Sequence, residues 1–442
     1  MKTIKYPQPA EWKQLLKRPV IETKDLEQQV TKVLQEIKTG GDTAVKKYTE
    51  LFDKVKLDSF IVEEKEIQEA AQLLSNELKT AIAQARQNIE KFHLAQQEEV
   101  KIIETSKGVQ CWRKSIAIEK VGLYIPGGTA PLFSTILMLA IPAKIAACKN
   151  IVLCTPPGKD GKINPAILYT AQLVGITTVF KLGGVQAIGA MAYGTETVPQ
   201  VYKIFGPGNQ YVTCAKQLVN KEGTAIDMPA GPSELAVIAD ETCIPAYVAA
   251  DLLSQAEHGT DSQVLLVSDK ETVILEVQAE LQKQVQALPR KEIALRALSN
   301  SLFLLVNNKN EGMELLNEYA PEHLIIACNN YTELADKVIN AGSVFLGNYS
   351  CESAGDYASG TNHTLPTNGN AKAYSGVSVD SFVKKITFQQ LSKEGMLNLG
   401  TTIELMAEAE GLEAHKNAVS IRLADVMIKA KSNKPKAKKE ER

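Results

Sequence analysis

Histidines near amide and carboxylate side chains are the feature of this chain best suited to metal binding. Gln255 and His258 are three residues apart near the end of a predicted helix, so both side chains project from one face. The following Gly259 fits a helix C-terminus, which would bring the pair to the rim of a sheet. Rims at strand ends are where α/β proteins bind their ligands, so we interpret this pair as a candidate metal site.

Two further segments could supply ligands to the same metal. Asp356 lies in GDYASG, a loop too polar and too glycine-rich to be core, and His415 lies in EGLEAHKN. Histidine, carboxylate and amide donors together suit zinc, with manganese as a close competitor. The Gln–His pair by itself is a weak signal, because such a pair is more often an ordinary helix-end contact than a pair of ligands.

A general acid–base couple is the second kind of chemistry that the sequence offers. Glu322 and His323 are adjacent, directly after Pro321 and before the apolar run LIIAC. Two titratable groups at the mouth of a strand can take and give protons, but a polar pair can also begin a strand without any role. The residues alone leave both interpretations open.

Glycine-rich turns form a third candidate site. IPGGTAP, KLGGVQAIG and FGPGNQY each follow a β-rich run, and KLGG precedes a helix whose backbone N–H groups could hold phosphates. None of them has the GxGxxG spacing of a dinucleotide-binding turn. The turns by themselves therefore do not establish nucleotide binding.

The elements that must position these residues alternate along the chain. Residues 22–108 are predicted to be mostly helical, because apolar residues recur there at helical spacing. From Val121 to Phe205, and again from Ser233, β-rich runs such as VGLYI, NIVLC and QVLLVS alternate with helices, which predicts two α/β blocks with parallel sheets. After about Gly376 the alternation stops, and the remainder is predicted to be helical.

Composition and charge argue against several classes of protein. The 442 residues are 44% hydrophobic with a net charge of -2, so neither nucleic acid nor membrane is an expected partner, and the length predicts two or more domains. No stretch reaches the ~20 apolar residues of a membrane span, and the N-terminus lacks the apolar core of a signal peptide. The 7 cysteines are scattered and never spaced as CxxC, which favours a reducing cytoplasm over a disulfide framework.

Several segments together resemble the signature blocks of the histidinol dehydrogenase family. They are GLYIPGG, FGPGNQYV, DMPAGPSE, LLSQAEHG, YAPEHL, ESAGDYASGTNHTLPT and AHKNAVSIR, in that family's order from about Val121 to Arg422. The resemblance implies a homodimeric, cytoplasmic enzyme with one zinc per subunit. It would oxidise L-histidinol through L-histidinal to L-histidine, the last two steps of histidine biosynthesis, and reduce two NAD.

The fold implied by this resemblance is α/β, with two incomplete Rossmann-like domains that contain parallel sheets. A helical N-terminal region and a C-terminal helical arm that crosses the dimer would complete the chain. On this basis we divide the sequence into an N-terminal segment (1–20), a first domain (21–120 with 234–376), a second domain (121–233), a dimerisation arm (377–430) and a disordered basic tail (431–442).

The resemblance also assigns residues to roles. Zinc would be held by Gln255, His258 and Asp356 of one subunit and by His415 of the other. Substrate binding would use these four ligands together with Ser233, His323 and Glu410. NAD would lie near Tyr124, Gln186 and Asn209, on or beside the glycine-rich turns.

The chemistry expected from this assignment uses one site twice. His323 would take the hydroxyl proton while hydride leaves to NAD, and the aldehyde would be held rather than released. Glu322 would then activate water to form the gem-diol, and His323 would take a second proton as the second hydride leaves. His363, close to Asp356 in the sequence, would orient the metal ligands.

Three other accounts compete with this one. A route through a cysteine thiohemiacetal would use Cys111 or Cys154, and we disfavour it because only Cys111 has basic neighbours in the sequence. A zinc hydrolase would share the metal ligands but has no use for the residues on the glycine-rich turns. A nucleic-acid-binding or scaffold protein would use the tail at 431–442, against which the net charge of -2 weighs.

Overall fold

The computed structural model describes residues 1–18, 24–127, 131–229 and 231–432. The chain divides into two units, of which the first contains Met1–Gln96 and Ala117–Phe382. The second contains Gln97–Ile116 and the described residues from Val383 onwards. The predicted tail therefore lies outside the described residues from position 433 on.

The elements follow one another along the chain with these bounds. The strands are β1 (Lys2–Lys5), β2 (Ile103–Ser106), β3 (Val109–Ala117), β4 (Lys120–Tyr124), β5 (Asn150–Thr155), β6 (Thr178–Lys181), β7 (Lys203–Phe205), β8 (Ala225–Ile226), β9 (Glu234–Ala239), β10 (Gln263–Ser268), β11 (Leu302–Leu305), β12 (His323–Ala327), β13 (Ser343–Leu346) and β14 (Val383–Leu391). The α-helices are α1 (Pro9–Leu15), α2 (Lys24–Asp53), α3 (Glu64–Leu73), α4 (Asn76–Leu94), α5 (Phe133–Ile145), α6 (Pro165–Leu173), α7 (Gly184–Tyr193), α8 (Gln210–Lys221), α9 (Pro245–Ala256), α10 (Glu271–Gln284), α11 (Lys291–Ser299), α12 (Lys309–Tyr319), α13 (Tyr331–Ala335), α14 (Glu352–Tyr357), α15 (Lys393–Ala409) and α16 (Glu413–Ser432).

The larger sheet of the first unit has the strand order β1-β11-β10-β9-β12-β13, and all neighbouring strands are parallel. Its central strands are apolar and buried along their length, as expected for a parallel sheet with helices on both faces. Three of these strands nevertheless begin with a polar residue, namely Glu234, Gln263 and His323. The amino ends of the strands therefore form a polar edge on an apolar sheet.

The second sheet of this unit has the order β6-β5-β4-β7-β8 and is also parallel. The helices of the N-terminal region pack on the helices that follow its strands: α2 on α7 and α8, α3 on α6, and α4 on α5. Apolar side chains from both sets form two continuous clusters. Residues 24–94 are thus grouped in space with the sheet of residues 120–226, whereas the division drawn from the sequence joins them to the other domain. That division stays a proposal.

The second unit is a small α/β arrangement of its own. Strands β14, β3 and β2 form a three-stranded sheet in that order, with β2 and β3 antiparallel. Helices α15 and α16 pack against each other across a short turn in which Gly411 has a φ of 72°. The left-handed backbone of this turn favours glycine, because a Cβ atom is disfavoured there.

The predicted fold class is confirmed: the protein is α/β with parallel sheets and with helical N- and C-terminal regions. Two local expectations were wrong. Residues 103–106 form β2 although they lie in the stretch predicted to be helical, and residues 383–391 form β14 where only helix was expected. Among the described residues, no helix has both the length and the apolar character needed to span a membrane.

Candidate active site

A cavity of about 1600 Å³ in the first unit contains most of the side chains that the sequence singled out. One part of its wall is the amino edge of the larger sheet, with Glu322 and His323 at the start of β12. Another part comes from the loop that follows β7 in the second sheet, which includes Gly208 and Asn209. The cavity therefore lies where the amino edge of one parallel sheet faces the carboxyl edge of another.

Glu322 and His323 are buried at the bottom of this cavity, with exposed fractions of 6% and 3%. A carboxylate oxygen of Glu322 accepts a hydrogen bond from the backbone N–H of Glu234 at 2.8 Å. The Nδ1 atom of His323 lies 3.3 Å from the carbonyl oxygen of the same Glu234 residue. The first residue of β9 therefore contacts both members of the predicted acid–base couple through its backbone.

The turn before β12 explains why two consecutive side chains meet in one cavity. Helix α12 ends at Tyr319, and Ala320 then adopts a left-handed conformation with a φ of 52°. Pro321 follows, and its ring disfavours further helix. Glu322 consequently lies before the strand and is not subject to the alternation of side chains that begins at His323.

Gln255 lies in the last turn of α9, and His258 lies in the turn that follows this helix. Gln255 is buried, and its amide has complementary partners when the nitrogen donates to Glu352 and the oxygen accepts from the N–H of Glu234 at 2.9 Å. His258 lines the cavity with part of its surface exposed. Desolvation of the ring by the surrounding protein lowers the pKa of His258, and the Asp356 carboxylate opposes that effect.

Helix α14 brings two carboxylates to the same place. Glu352 and Asp356 are one helical turn apart and therefore face the same side of the helix. Their oxygens and a ring nitrogen of His323 all lie within 4.8 Å of one another, a grouping that could hold a metal ion. Nε2 of His323 is 3.5 Å from Asp356 and has no hydrogen-bond partner, so it is a buried donor atom that is free to bind a ligand.

The electrostatics of this group favour a cation. Burial raises the pKa of Glu322 to about 8, and burial likewise raises the pKa of Glu352 to about 8. Burial alone would lower the pKa of His323, but the carboxylates of Glu352, Glu322 and Asp356 outweigh it and raise that pKa to about 10. For Asp356, burial is the largest influence and acts upwards, but His323 more than offsets it and the pKa is lowered. Oxygen and imidazole donors gathered around buried negative charge fit zinc or manganese.

The other predicted substrate and metal residues are divided between the two units. Ser233 and His363 line the same cavity. The ring of His363 contacts the Asp356 carbonyl oxygen at 2.9 Å and the Thr135 hydroxyl at 3.1 Å, so it lies against the backbone of a predicted ligand. Glu410 and His415 belong to the second unit and are exposed there. Both predicted roles stay predictions, and that of His415 was expected to involve a second subunit.

The residues predicted to contact NAD line a second cavity in the first unit, of about 1260 Å³. Tyr124 is buried, and its hydroxyl oxygen accepts a hydrogen bond from the N–H of Gly184 at 3.1 Å. Gln186 is fully buried, donates to Asp53 at 2.9 Å, and leaves its own amide oxygen without a partner. Asn209 lines both cavities and caps helix α8. A wide cavity at the carboxyl edge of a parallel sheet, with an unpaired buried amide oxygen, fits a dinucleotide.

The cysteine candidates have surroundings that do not favour a thiolate. Cys154 is fully buried in β5, and burial raises the pKa of its thiol far above the ordinary range. Cys111 lies in β3 of the second unit and is partly exposed. A reactive cysteine needs a lowered pKa, so Cys154 is unsuited to forming a thiohemiacetal.

Sequence reasoning missed two acidic residues that are central to the site. Glu352 belongs to the same ESAGDYASG block as Asp356, and its spacing of four residues within a helical segment is the signal that could have revealed it. Glu234, which follows Ser233, contacts both Glu322 and His323 through its backbone, and no side-chain pattern in the sequence reports such contacts. Both residues are 1% exposed.

Several known proteins similar to this chain are histidinol dehydrogenases. A family model described as histidinol dehydrogenase matches residues 16–423. The histidinol dehydrogenase of Bacteroides fragilis is 60% identical over 426 residues, which cover 96% of this chain and 100% of that protein. The chloroplastic histidinol dehydrogenase of Arabidopsis thaliana is 52% identical over 418 residues, which cover 94% and 89%. The crystal structure of histidinol dehydrogenase from Elizabethkingia anophelis has a TM-score of 0.95 to this chain at 57% identity, covering 96% of this chain and 98% of that one.

Proposed function

The chain belongs to the histidinol dehydrogenase family and is an oxidoreductase of histidine biosynthesis, and we propose that it converts L-histidinol to L-histidine in two NAD-dependent oxidations at a zinc site. The observation that carries this proposal is the pairing of Glu322 and His323 in the same cavity as Gln255, His258 and Asp356. An acid–base couple next to a set of metal donors is what two successive oxidations of one bound substrate require.

The residues that would hold zinc are Gln255, His258 and Asp356, with His415 of the partner subunit as the fourth. When bound, zinc would anchor the imidazole and amino nitrogens of the substrate, and so serve orientation more than activation of the alcohol. The buried carboxylates of Glu352 and Asp356 support a cation in this place, and Nε2 of His323, which has no hydrogen-bond partner, is left to act as the base. Without one, the raised pKa of about 10 would keep His323 protonated at neutral pH and unable to accept a proton.

His323 would act as the general base in both oxidations. In the first it takes the proton of the substrate hydroxyl as hydride leaves from the carbinol carbon. In the second it takes a hydroxyl proton of the hydrated aldehyde. Its contact with the carbonyl oxygen of Glu234 at 3.3 Å supports a fixed ring orientation throughout.

Glu322 would act between the two oxidations. Its carboxylate takes a proton from the water that adds to the aldehyde, while the carbonyl oxygen takes the proton that His323 gained in the first oxidation. This forms the gem-diol and returns His323 to the basic form that the second oxidation needs. The burial of Glu322 in the cavity and the hydrogen bond that it accepts from the Glu234 N–H support this role, because they hold the carboxylate in one place.

NAD would occupy the second cavity, with Tyr124, Gln186 and Asn209 as its contacts, and would accept the hydride in each step. The side chains of Ser233 and Glu410 would complete the binding of the substrate. These assignments rest on the match of this sequence to the family's motifs, and the exposed positions of Glu410 and His415 on the second unit support their being available to a partner. The enzyme would accordingly be a homodimer with shared sites.

The test is NADH formation from L-histidinol at alkaline pH, measured on the protein as purified, after chelation, and after zinc is restored. The proposal predicts activity that chelation abolishes and that zinc recovers. Absence of NADH under every metal condition would overturn it and turn attention to a hydrolase that uses the same donors.

A further inference from the structure

An ion pair between the N-terminal segment and the start of β9 lies next to the proposed catalytic couple. Nε of Arg18 donates to the Glu234 carboxylate at 2.6 Å, and a second guanidinium nitrogen donates to the other oxygen at 2.9 Å. The Glu234 side chain is 1% exposed and that of Arg18 is 15% exposed. Two parallel bonds to one carboxylate fix its orientation as well as its charge.

Arg18 is itself held in one position by the end of α12. Its guanidinium stacks on the Tyr319 ring at 4.1 Å from the centroid and donates to the Tyr319 carbonyl oxygen at 2.6 Å. The Tyr319 hydroxyl in turn donates to Gln263, the first residue of β10, at 2.9 Å. A planar guanidinium that is stacked and bonded on both sides has little freedom to move.

Glu234, whose side chain Arg18 holds, contacts both Glu322 and His323 through its backbone. Its N–H donates to the Glu322 carboxylate at 2.8 Å, and its carbonyl oxygen lies 3.3 Å from Nδ1 of His323. The Glu234 carboxylate also accepts a hydrogen bond from the backbone N–H of Asn368 at 2.8 Å. A displacement of the Glu234 backbone would therefore disturb its contacts with both Glu322 and His323.

We propose that Arg18 is a positioning residue for the oxidation: by holding the Glu234 carboxylate in two bonds, it fixes the backbone of Glu234, whose N–H and carbonyl oxygen orient Glu322 and His323. This inference rests on the roles proposed above for those two residues. Arg18 does not touch the substrate in this account. Its effect passes through Glu234.

Arg18→Met tests the inference, because methionine keeps apolar contact with Tyr319 but cannot bond the carboxylate. At saturating zinc, we expect kcat for L-histidinol to fall by about 10- to 100-fold, the usual consequence of a small displacement of catalytic groups. The KM for L-histidinol should change by less than about threefold, since the binding contacts remain. Oxidation of L-histidinal should fall more than oxidation of L-histidinol, because it uses Glu322 as well as His323.

Arg18→Lys provides the conservative variant. It keeps one charge and one bond to Glu234, so its kcat should lie between those of Arg18→Met and the unchanged enzyme. Arg296→Met, an exposed arginine on α11, is the matched control and should leave both steps unchanged. If Arg18→Met fails to fold, the Arg18→Lys values and those of Glu234→Gln decide the question.

A purely structural role would give a different pattern. Folded Arg18→Met or Arg18→Lys with a lower melting temperature but with kcat within about twofold of the unchanged enzyme would overturn the inference. Equal losses in both oxidation steps for every variant would also overturn it. Failure of the proposed function is distinguishable, because the unchanged enzyme would then form no NADH from L-histidinol.

Discussion

Nδ1 of His323 lies 3.7 Å from Oε2 of Glu322, although the two residues are neighbours at the start of a strand. Consecutive residues within a strand point to opposite faces of the sheet. The pair meets because β12 begins only at His323, while Glu322 belongs to the turn formed by Ala320 and Pro321. The geometry of this turn therefore determines whether the proposed base and the proposed water-activating carboxylate share one cavity.

Gly342, the residue before the neighbouring strand β13, supports this turn, and Gly342→Ala should damage catalysis. The N–H of Gly342 donates to Pro321, and a Cβ atom added at Gly342 would lie 2.5 Å from the carbonyl oxygen of Glu322. The backbone must shift to relieve this contact, so we expect kcat to fall by about 10-fold or more. Steady-state kinetics would measure it, with the exposed Gly40→Ala in α2 as the control. An unchanged kcat in Gly342→Ala would contradict the account of the turn.

Zinc binding should release protons. In the absence of the metal, the pKa values of Glu322 and Glu352 are raised to about 8 and that of His323 to about 10, so the group carries bound protons at pH 7.5. A cation lowers all three pKa values, so protons leave as it binds and its apparent affinity rises with pH. Calorimetric titration of the metal-free enzyme in two buffers of different ionisation enthalpy measures the release, which we expect to be about one proton or more. A heat that does not depend on the buffer would contradict it.

Gln186→Ala should weaken NAD binding without affecting the metal. The amide is fully buried beside the second cavity, and its oxygen has no partner within the protein. Loss of one hydrogen bond to the cofactor should raise the KM for NAD by about 3- to 10-fold, with little change in kcat at saturating NAD. Zinc content should stay the same, and Gln172→Ala on the exposed side of α6 serves as the control. An unchanged KM for NAD would argue against NAD in this cavity.

Asp251 on α9 should make stability depend on pH in a direction unusual for a carboxylate. Burial raises its pKa to about 7, although its carboxylate accepts a hydrogen bond from the Glu352 N–H at the start of α14. Between about pH 4 and pH 7 the folded state thus binds a proton that the unfolded state has lost, so the contribution of Asp251 to stability falls as the pH rises through this window. Asp251→Asn keeps the acceptor and cannot ionise. We expect its melting temperature, relative to that of the unchanged protein, to rise from pH 4 to pH 8. A difference that is constant or falls with pH would contradict this.

The sequence was sufficient for the parallel sheets, because their strands are short apolar runs separated by amphipathic helices. Segments such as NIVLC and QVLLVS became β5 and β10 with nearly the predicted bounds. The strands β2 and β14 were missed because they are largely exposed and lack that apolar run. The pairing of β14 with β3 also joins residues far apart in the chain, and local periodicity carries no information on such pairing.

The candidate site could be predicted only in part, because contacts made by the backbone or between distant residues leave no local pattern in the sequence. Gln255 and His258 could be found from helical spacing, and Glu322 with His323 from their position before an apolar strand. The contribution of Glu234 could not be found in the same way, since its contacts with the couple are made by its backbone. The bond between Arg18 and Glu234 joins positions 216 residues apart, which only the fold brings together.

The measurement that tests the central claim most directly is the amount of NADH formed from a limiting amount of L-histidinol. We predict two NADH and one L-histidine per L-histidinol for the unchanged, zinc-loaded enzyme. Glu322→Gln should approach one NADH on the same timescale, because hydration of the aldehyde is lost, and His323→Asn should be slow in both steps. One NADH per L-histidinol from the unchanged enzyme, or two formed at the normal rate by Glu322→Gln, would contradict the claim that this couple serves both oxidations.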